Sequence, residues 1–99
     1  IARNNAKFNK VEEKLAISSL DISSLTIPFN LILANLTAKK LIELYHKLAF
    51  LLAPAGYMII SGIIEPNKEE IEACFLRPPL HFRRRFSREG WLCYVLTKA

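Results

Sequence analysis

The sequence predicts an α/β fold, part of a doubly wound sheet of parallel strands that ends in an antiparallel hairpin. Three observations carry this reading. A short apolar run, Phe29 to Ala34, enters through Pro28 and stops at Asn35. An amphipathic stretch, a break at Ala53-Pro54-Ala55-Gly56 and a second apolar run, Tyr57 to Ile64, follow it. Near-continuous apolar strands are those buried on both faces, and two of them joined by one helix make a parallel, right-handed crossover. Finally, Leu80 to Phe86 alternates apolar and basic residues, and after Ser87-Arg88-Glu89-Gly90 the run Trp91 to Leu96 reads as its antiparallel partner.

In chain order, Ile1 to Asn9 reads as the last turns of a helix, with Ile1, Ala2, Asn5, Ala6 and Asn9 along one side. Leu15-Ala16-Ile17 is a short strand, followed by a polar loop from Ser18 to Thr26. From Ala38 to Leu52 the apolar positions Ala38, Leu41, Ile42, Tyr45, Leu48, Ala49 and Leu52 recur at three and four, while Lys39, Lys40, Glu43, His46 and Lys47 face away. That is an amphipathic helix, capped by Asn35 or Thr37 and stopped before Pro54. Pro66 and Asn67, with Glu70 three residues after Asn67, open a shorter helix through Leu76, which Arg77-Pro78-Pro79 ends.

With 99 residues the chain is at most one domain, and with 52% hydrophobic residues it can build a core. A complete doubly wound domain usually takes more chain. The sequence starts at Ile1, its one methionine is Met58, and its first residues read as helix, so the expectation is a piece of a longer protein. Asn30, Asn35, Lys39-Lys40 and Pro54 interrupt the apolar runs before any reaches the roughly twenty residues of a membrane span, and no basic-then-apolar leader opens the chain. The two cysteines, Cys74 and Cys93, lack metal-ligand spacing and read as buried free thiols in a reducing, cytoplasmic setting. The net charge of +5 is concentrated at Arg77, Arg83, Arg84, Arg85 and Arg88, in a window without an acid, which suits an anionic partner.

The succession of parallel strand–helix–strand and antiparallel terminal hairpin resembles the second half of class I S-adenosylmethionine-dependent methyltransferases, a Rossmann-like fold. More narrowly, Ala2-Arg3-Asn4-Asn5-Ala6-Lys7-Phe8-Asn9, Ser18-Ser19-Leu20-Asp21, Phe29 through Thr37 with Ala34-Asn35-Leu36 at its centre, Ser61-Gly62-Ile63-Ile64 and Glu89-Gly90-Trp91 resemble the ribosomal protein L-eleven lysine methyltransferase family. Two positions depart from it. Ala53-Pro54-Ala55-Gly56 stands where the family usually has Lys-Pro-Gly-Gly, and Asn30 where an Asp is usual. The family's first strand with its Gly-rich loop, and its second strand with the ribose-binding acid, have no counterpart here. The glycines are Gly56, Gly62 and Gly90, too scattered for such a loop. By the resemblance those two strands belong between the strand of Leu15-Ala16-Ile17 and that of Phe29 to Ala34, so a gap is expected in the middle of the sheet.

What the resemblance implies is transfer of a methyl group from S-adenosylmethionine to amino groups of a protein, of the ribosomal-protein lysine type, by the full-length protein. In such an in-line displacement the protein positions the nucleophile and excludes water. Asn35 is then the candidate catalytic residue, its carbonyl accepting a hydrogen bond from the target nitrogen, and also a cofactor contact; Ser19 and Leu20 are implied to touch the adenine. Each has a plainer reading beside it: Asn35 as a helix cap, Ser19 and Leu20 as a solvated loop, Asp21 as a loop acid. His46 and His81 read as solvated histidines, since neither has a partner at metal spacing. Arg83-Arg84-Arg85, flanked by Phe82, Phe86 and Trp91, has the composition of a single-strand nucleic-acid binder. Arginines also guard edge strands, and the aromatics read as alternating toward the core, which favours the guard. The alternative function is accordingly a small basic module that binds nucleic acid or the ribosome without catalysis.

Overall fold

The computed structural model describes residues 28–98 with their side chains and the backbone of residues 6–9 and 14–17. It contains strands β1 (Ala6–Asn9), β2 (Lys14–Ile17), β3 (Phe29–Asn35), β4 (Leu52–Ile64), β5 (Leu80–Arg88) and β6 (Trp91–Lys98), with helices α1 (Ala38–Glu43), α2 (Tyr45–Leu51) and α3 (Lys68–Phe75). The strands form one mixed sheet in the order β1-β2-β3-β4-β6-β5. β2, β3 and β4 run parallel, while β1 and the β5–β6 hairpin are antiparallel to their neighbours.

Two expectations at the amino-terminal end change. Ala6–Asn9 is a strand paired with β2, where the sequence pattern predicts helix, because its backbone groups find partners across β2 (Ala6 opposite Ile17, Asn9 opposite Lys14). The expected gap also closes: β2 pairs directly with β3, Lys14 opposite Leu31 and Ile17 opposite Ala34. A bare edge of β3 would leave a row of unpaired N–H and C=O groups, and β2 supplies the ladder that satisfies them.

The predicted helix of residues 38–52 is present as α1 and α2, bent at Leu44 (φ −95°, ψ 4°) and ending at Leu51. Hydrogen bonds cross the bend, from the Leu44 N–H to Lys40 O at 3.0 Å and from the Leu48 N–H to Leu44 O at 2.8 Å. The apolar stripe holds across it, with Ala38, Leu41, Tyr45, Leu48 and Ala49 buried. α3 follows a 3-10 turn, Glu65–Asn67. The Asn67 side chain donates to Glu70 Oε1 at 2.7 Å instead of capping the backbone.

The helices pack on the sheet face that presents Ile32, Ala34, Met58, Ile60, Leu92, Tyr94 and Leu96, all buried. Each fully buried aliphatic side chain here stabilises the fold by about 1.5–3 kcal/mol. Tyr45 stacks edge-on against Phe75, joining α2 to α3. At the lower rim Lys98 Nζ donates to Ala49 O (2.8 Å) and Leu52 O (2.9 Å), a cation on the carbonyl end of α2. On the opposite face Leu31, Leu33, Ile59, Cys93 and Val95 are half-buried, and Tyr57, Phe86 and Trp91 are exposed.

The Pro/Gly break lies inside β4. Phe29 pairs with Leu52 but Leu31 with Tyr57, so the segment Ala53–Gly56 bulges out, with Ala55 at φ 66°. The final turn is tighter than the four residues predicted. Ser87 and Arg88 belong to β5, Arg88 pairs with Trp91, and only Glu89 and Gly90 turn, both at positive φ as a two-residue hairpin demands.

Candidate functional site

β3 and β4 run parallel, so their carboxyl ends emerge side by side, with Asn35 opposite Ser61 in the ladder. Ligands of open α/β sheets bind beyond such carboxyl ends. The chain leaves β3 with the Leu36 N–H donating to Ser61 O at 3.1 Å. Leu36 is buried and Asn35 exposed, so the amide stands at the rim while the next residue anchors the turn.

The cap of α1 is Thr37, extended at φ −66°, ψ 160°. Its Oγ1 accepts the Lys40 N–H at 3.3 Å, and its carbonyl accepts the Leu41 N–H at 2.9 Å. Of the two cap candidates the structure uses Thr37, so Asn35 has no capping duty.

Gly62 crosses beneath Asn35 at φ 87°, within the irregular register between Ile60 and Ile63. A Cβ at this glycine would lie 2.7 Å from Asn35 Oδ1, 2.8 Å from Leu36 O and 3.2 Å from Leu36 N. The residue pattern alone gives Gly62 no task, but a glycine interrupting an otherwise apolar strand signals a bulge or a close approach.

Ser19, Leu20 and Asp21 lie outside the described residues. His46 is exposed on α2, edge-on to Tyr45, and His81 is exposed on β5. Cys74 on α3 and Cys93 on β6 are free thiols, half-buried where burial was expected. Burial pushes both thiols up, in Cys74 against the opposing pull of Arg77, which suits packing and not nucleophilic chemistry.

A polar node that the sequence did not reveal joins α3 to the hairpin. Glu72 Oε2 accepts the Tyr94 hydroxyl at 2.8 Å and Arg85 at 2.9 Å. The Tyr94 hydrogen bond is the largest influence holding the Glu72 carboxyl below its ordinary range, with Arg85 and Lys68 adding to it against partial burial. Burial, then the bond to Glu72, raises the Tyr94 hydroxyl.

β5 is the sheet edge, as the guard reading expects, and Arg83, Arg84 and Arg88 are exposed along it. The aromatics do not alternate into the core. Phe82, Phe86 and Trp91 are 49%, 52% and 55% exposed: the register slip between Phe82 and Arg84 turns Phe86, like Trp91, to the face opposite Tyr94, and Phe82 lies on the outermost strand.

The sequence matches the family described as "Ribosomal protein L11 methyltransferase (PrmA)" over residues 1–99. The chain belongs to the ribosomal protein L11 methyltransferase family. Among relatives of that family, the ribosomal protein L11 methyltransferase of Brucella abortus (strain S19) is 33% identical over 102 residues, which cover 98% of this chain and 36% of that one. That of Teredinibacter turnerae is 35% identical over 71 residues, 72% of this chain and 23% of that one. The chain thus spans about a third or less of the length of these L11 methyltransferases. The crystal structure of the ribosomal protein L11 methylase from Lactobacillus delbrueckii subsp. bulgaricus superposes with a TM-score of 0.73 at 23% identity, over 78% of this chain and 40% of that one. The likeness establishes the fold: a mixed α/β sheet of the Rossmann-like methyltransferase kind. Among the described residues, no helix is long and apolar enough to cross a membrane.

Proposed function

We propose that this chain is the C-terminal portion of a class I methyltransferase domain that, within a longer cytoplasmic protein, transfers a methyl group from S-adenosylmethionine to lysine amino groups of a ribosomal protein. The observation that supports this best is Asn35: exposed at the carboxyl end of a buried parallel strand, relieved of capping by Thr37 and backed by the bare Cα of Gly62. Family membership supports methyl transfer to a ribosomal protein, and the lengths of the relatives support a longer protein.

S-adenosylmethionine, when bound, supplies an activated methyl group on a sulfonium, so no strong base or nucleophile of the protein is required. The residues present fit one wall of such a site. Asn35 offers a carbonyl to orient the attacking amine through a hydrogen bond, aligning its lone pair with the methyl group, and its amide offers a contact to the cofactor. Ser19 and Leu20 are assigned to the adenine by family resemblance. With Gly56, Gly62 and Gly90 as its glycines, this chain holds no Gly-rich loop, and those contacts fall to the preceding segment of the longer protein.

The test is Asn35→Ala in the longer protein. Losing one positioning contact should lower kcat by on the order of a hundredfold, with little change in melting temperature because Thr37 carries the cap. A kcat equal to wild type would refute the assignment. The nucleic-acid alternative receives no support from the family match.

A further inference from the structure

We infer that Gly62 is a positioning residue for Asn35, holding the amide oxygen in its working place by leaving free the space a side chain would fill; this rests on the reading of Asn35 proposed above. Four observations converge. Asn35 and Ser61 are ladder partners, so the residue after Ser61 necessarily lies beside the strand end that carries the amide. The Leu36 N–H to Ser61 O bond, 3.1 Å, fixes that approach. Gly62 sits at φ 87°, a conformation that L side chains rarely adopt. The position of a Cβ is already taken, by Asn35 Oδ1 at 2.7 Å and Leu36 O at 2.8 Å, both closer than real Cβ contacts occur.

Leu36 O is backbone and cannot yield without disturbing the turn into α1. Asn35 Oδ1 is the end of an exposed side chain, which a clash can turn toward solvent. A methyl group at position 62 therefore displaces the amide oxygen first. Displacement by about 1 Å is enough to cost on the order of a hundredfold when the group's task is alignment. Gly62 thus touches no reactant; it acts through the rotamer of Asn35.

The experiment is a double-mutant cycle on kcat in the longer protein, with Gly62→Ala, Asn35→Ala and the double variant each assayed well below its own melting temperature. If Gly62 acts through Asn35, Gly62→Ala lowers kcat by roughly tenfold to a hundredfold, and adding it to Asn35→Ala lowers kcat no further. A general loss of packing would instead multiply the two effects, and that result overturns the inference. So does a Gly62→Ala kcat equal to wild type beside an impaired Asn35→Ala. If Asn35→Ala is itself unimpaired, the function proposed for Asn35 falls and the inference with it. Should Gly62→Ala fail to fold, relaxation of the Asn35 side-chain amide in the wild-type protein decides the question. A held amide gives an order parameter near the rigid-backbone value of about 0.85, whereas one below about 0.6 shows free rotation and overturns the inference.

Discussion

Ala55 carries a methyl group where the backbone turns left-handed, at φ 66°. That conformation costs a residue with a Cβ roughly 1–2 kcal/mol, and the family resemblance sets a glycine at this position of the turn. The bulge is imposed from outside: Phe29 and Leu31 of β3 pair with Leu52 and Tyr57 of β4, so the residues between must fold out whatever their preference. Ala55→Gly should raise the stability by about 0.5–1 kcal/mol, the relief of strain being partly offset by the greater freedom of glycine in the unfolded chain. Urea denaturation of the two proteins measures it, and a lower midpoint for the glycine variant would show that the turn is unstrained. Asn35 and Thr37 illustrate the limit of reading single residues. Both have the chemistry of a cap, and only the observed geometry allots it to Thr37.

Between elements, the Glu72 node is the one charged contact linking α3 to both strands of the hairpin among the described residues. Since the Glu72 carboxyl is held below its ordinary value of 4.5 in the folded protein, it contributes stability above that pH. That contribution fades as pH falls through the lower folded value. Tyr94→Phe removes the largest cause of the shift while keeping the buried ring. The carboxyl should then titrate closer to 4.5, the acid-side loss of stability should shrink, and stability at neutral pH should fall by about 1 kcal/mol. NMR titration of the Glu72 carboxyl, paired with denaturation at neutral and acid pH, follows both effects. An unmoved titration would mean that Arg85 and Lys68 hold the carboxyl by themselves.

At the scale of the whole molecule, the direct pairing of β2 with β3 is what sets this chain apart from the sheet its family resemblance implies. Ala16 and Leu33 are ladder partners here, so their Cα atoms are one strand spacing apart, about 4.8 Å. With two further strands between them they would be three spacings apart, roughly 14 Å. We predict that Ala16→Cys and Leu33→Cys crosslink on oxidation in the 99-residue chain and stay reduced in the longer protein proposed above, if its two further strands insert between β2 and β3. Disulfides need Cα atoms within about 7 Å, so the readout is sharp. Crosslinking in both would show that the direct pairing persists beside those strands as well.

Elements whose burial pattern is local and strong are legible in the residues alone. Phe29 to Ala34 and Tyr57 to Ile64 are too apolar to be anything but inner strands, the stripe from Ala38 to Ala49 fixes which side of the helix is buried, and Trp91 to Leu96 follows a turn rich in polar residues and glycine. With Asn35 ending the first strand, the place of the candidate site was legible too. Tertiary structure decided the rest, because those outcomes depend on partners distant in the chain. Ala6–Asn9 has helix-compatible residues, yet becomes a strand because β2 offers it a ladder. Phe82 and Phe86 alternate like core residues but remain exposed, Phe82 because it lies on the outermost strand and Phe86 because the register slip turns it away from the helices. The role of Gly62 needed both strands in place, for only when β3 and β4 lie in register does the missing side chain become the space against which Asn35 rests.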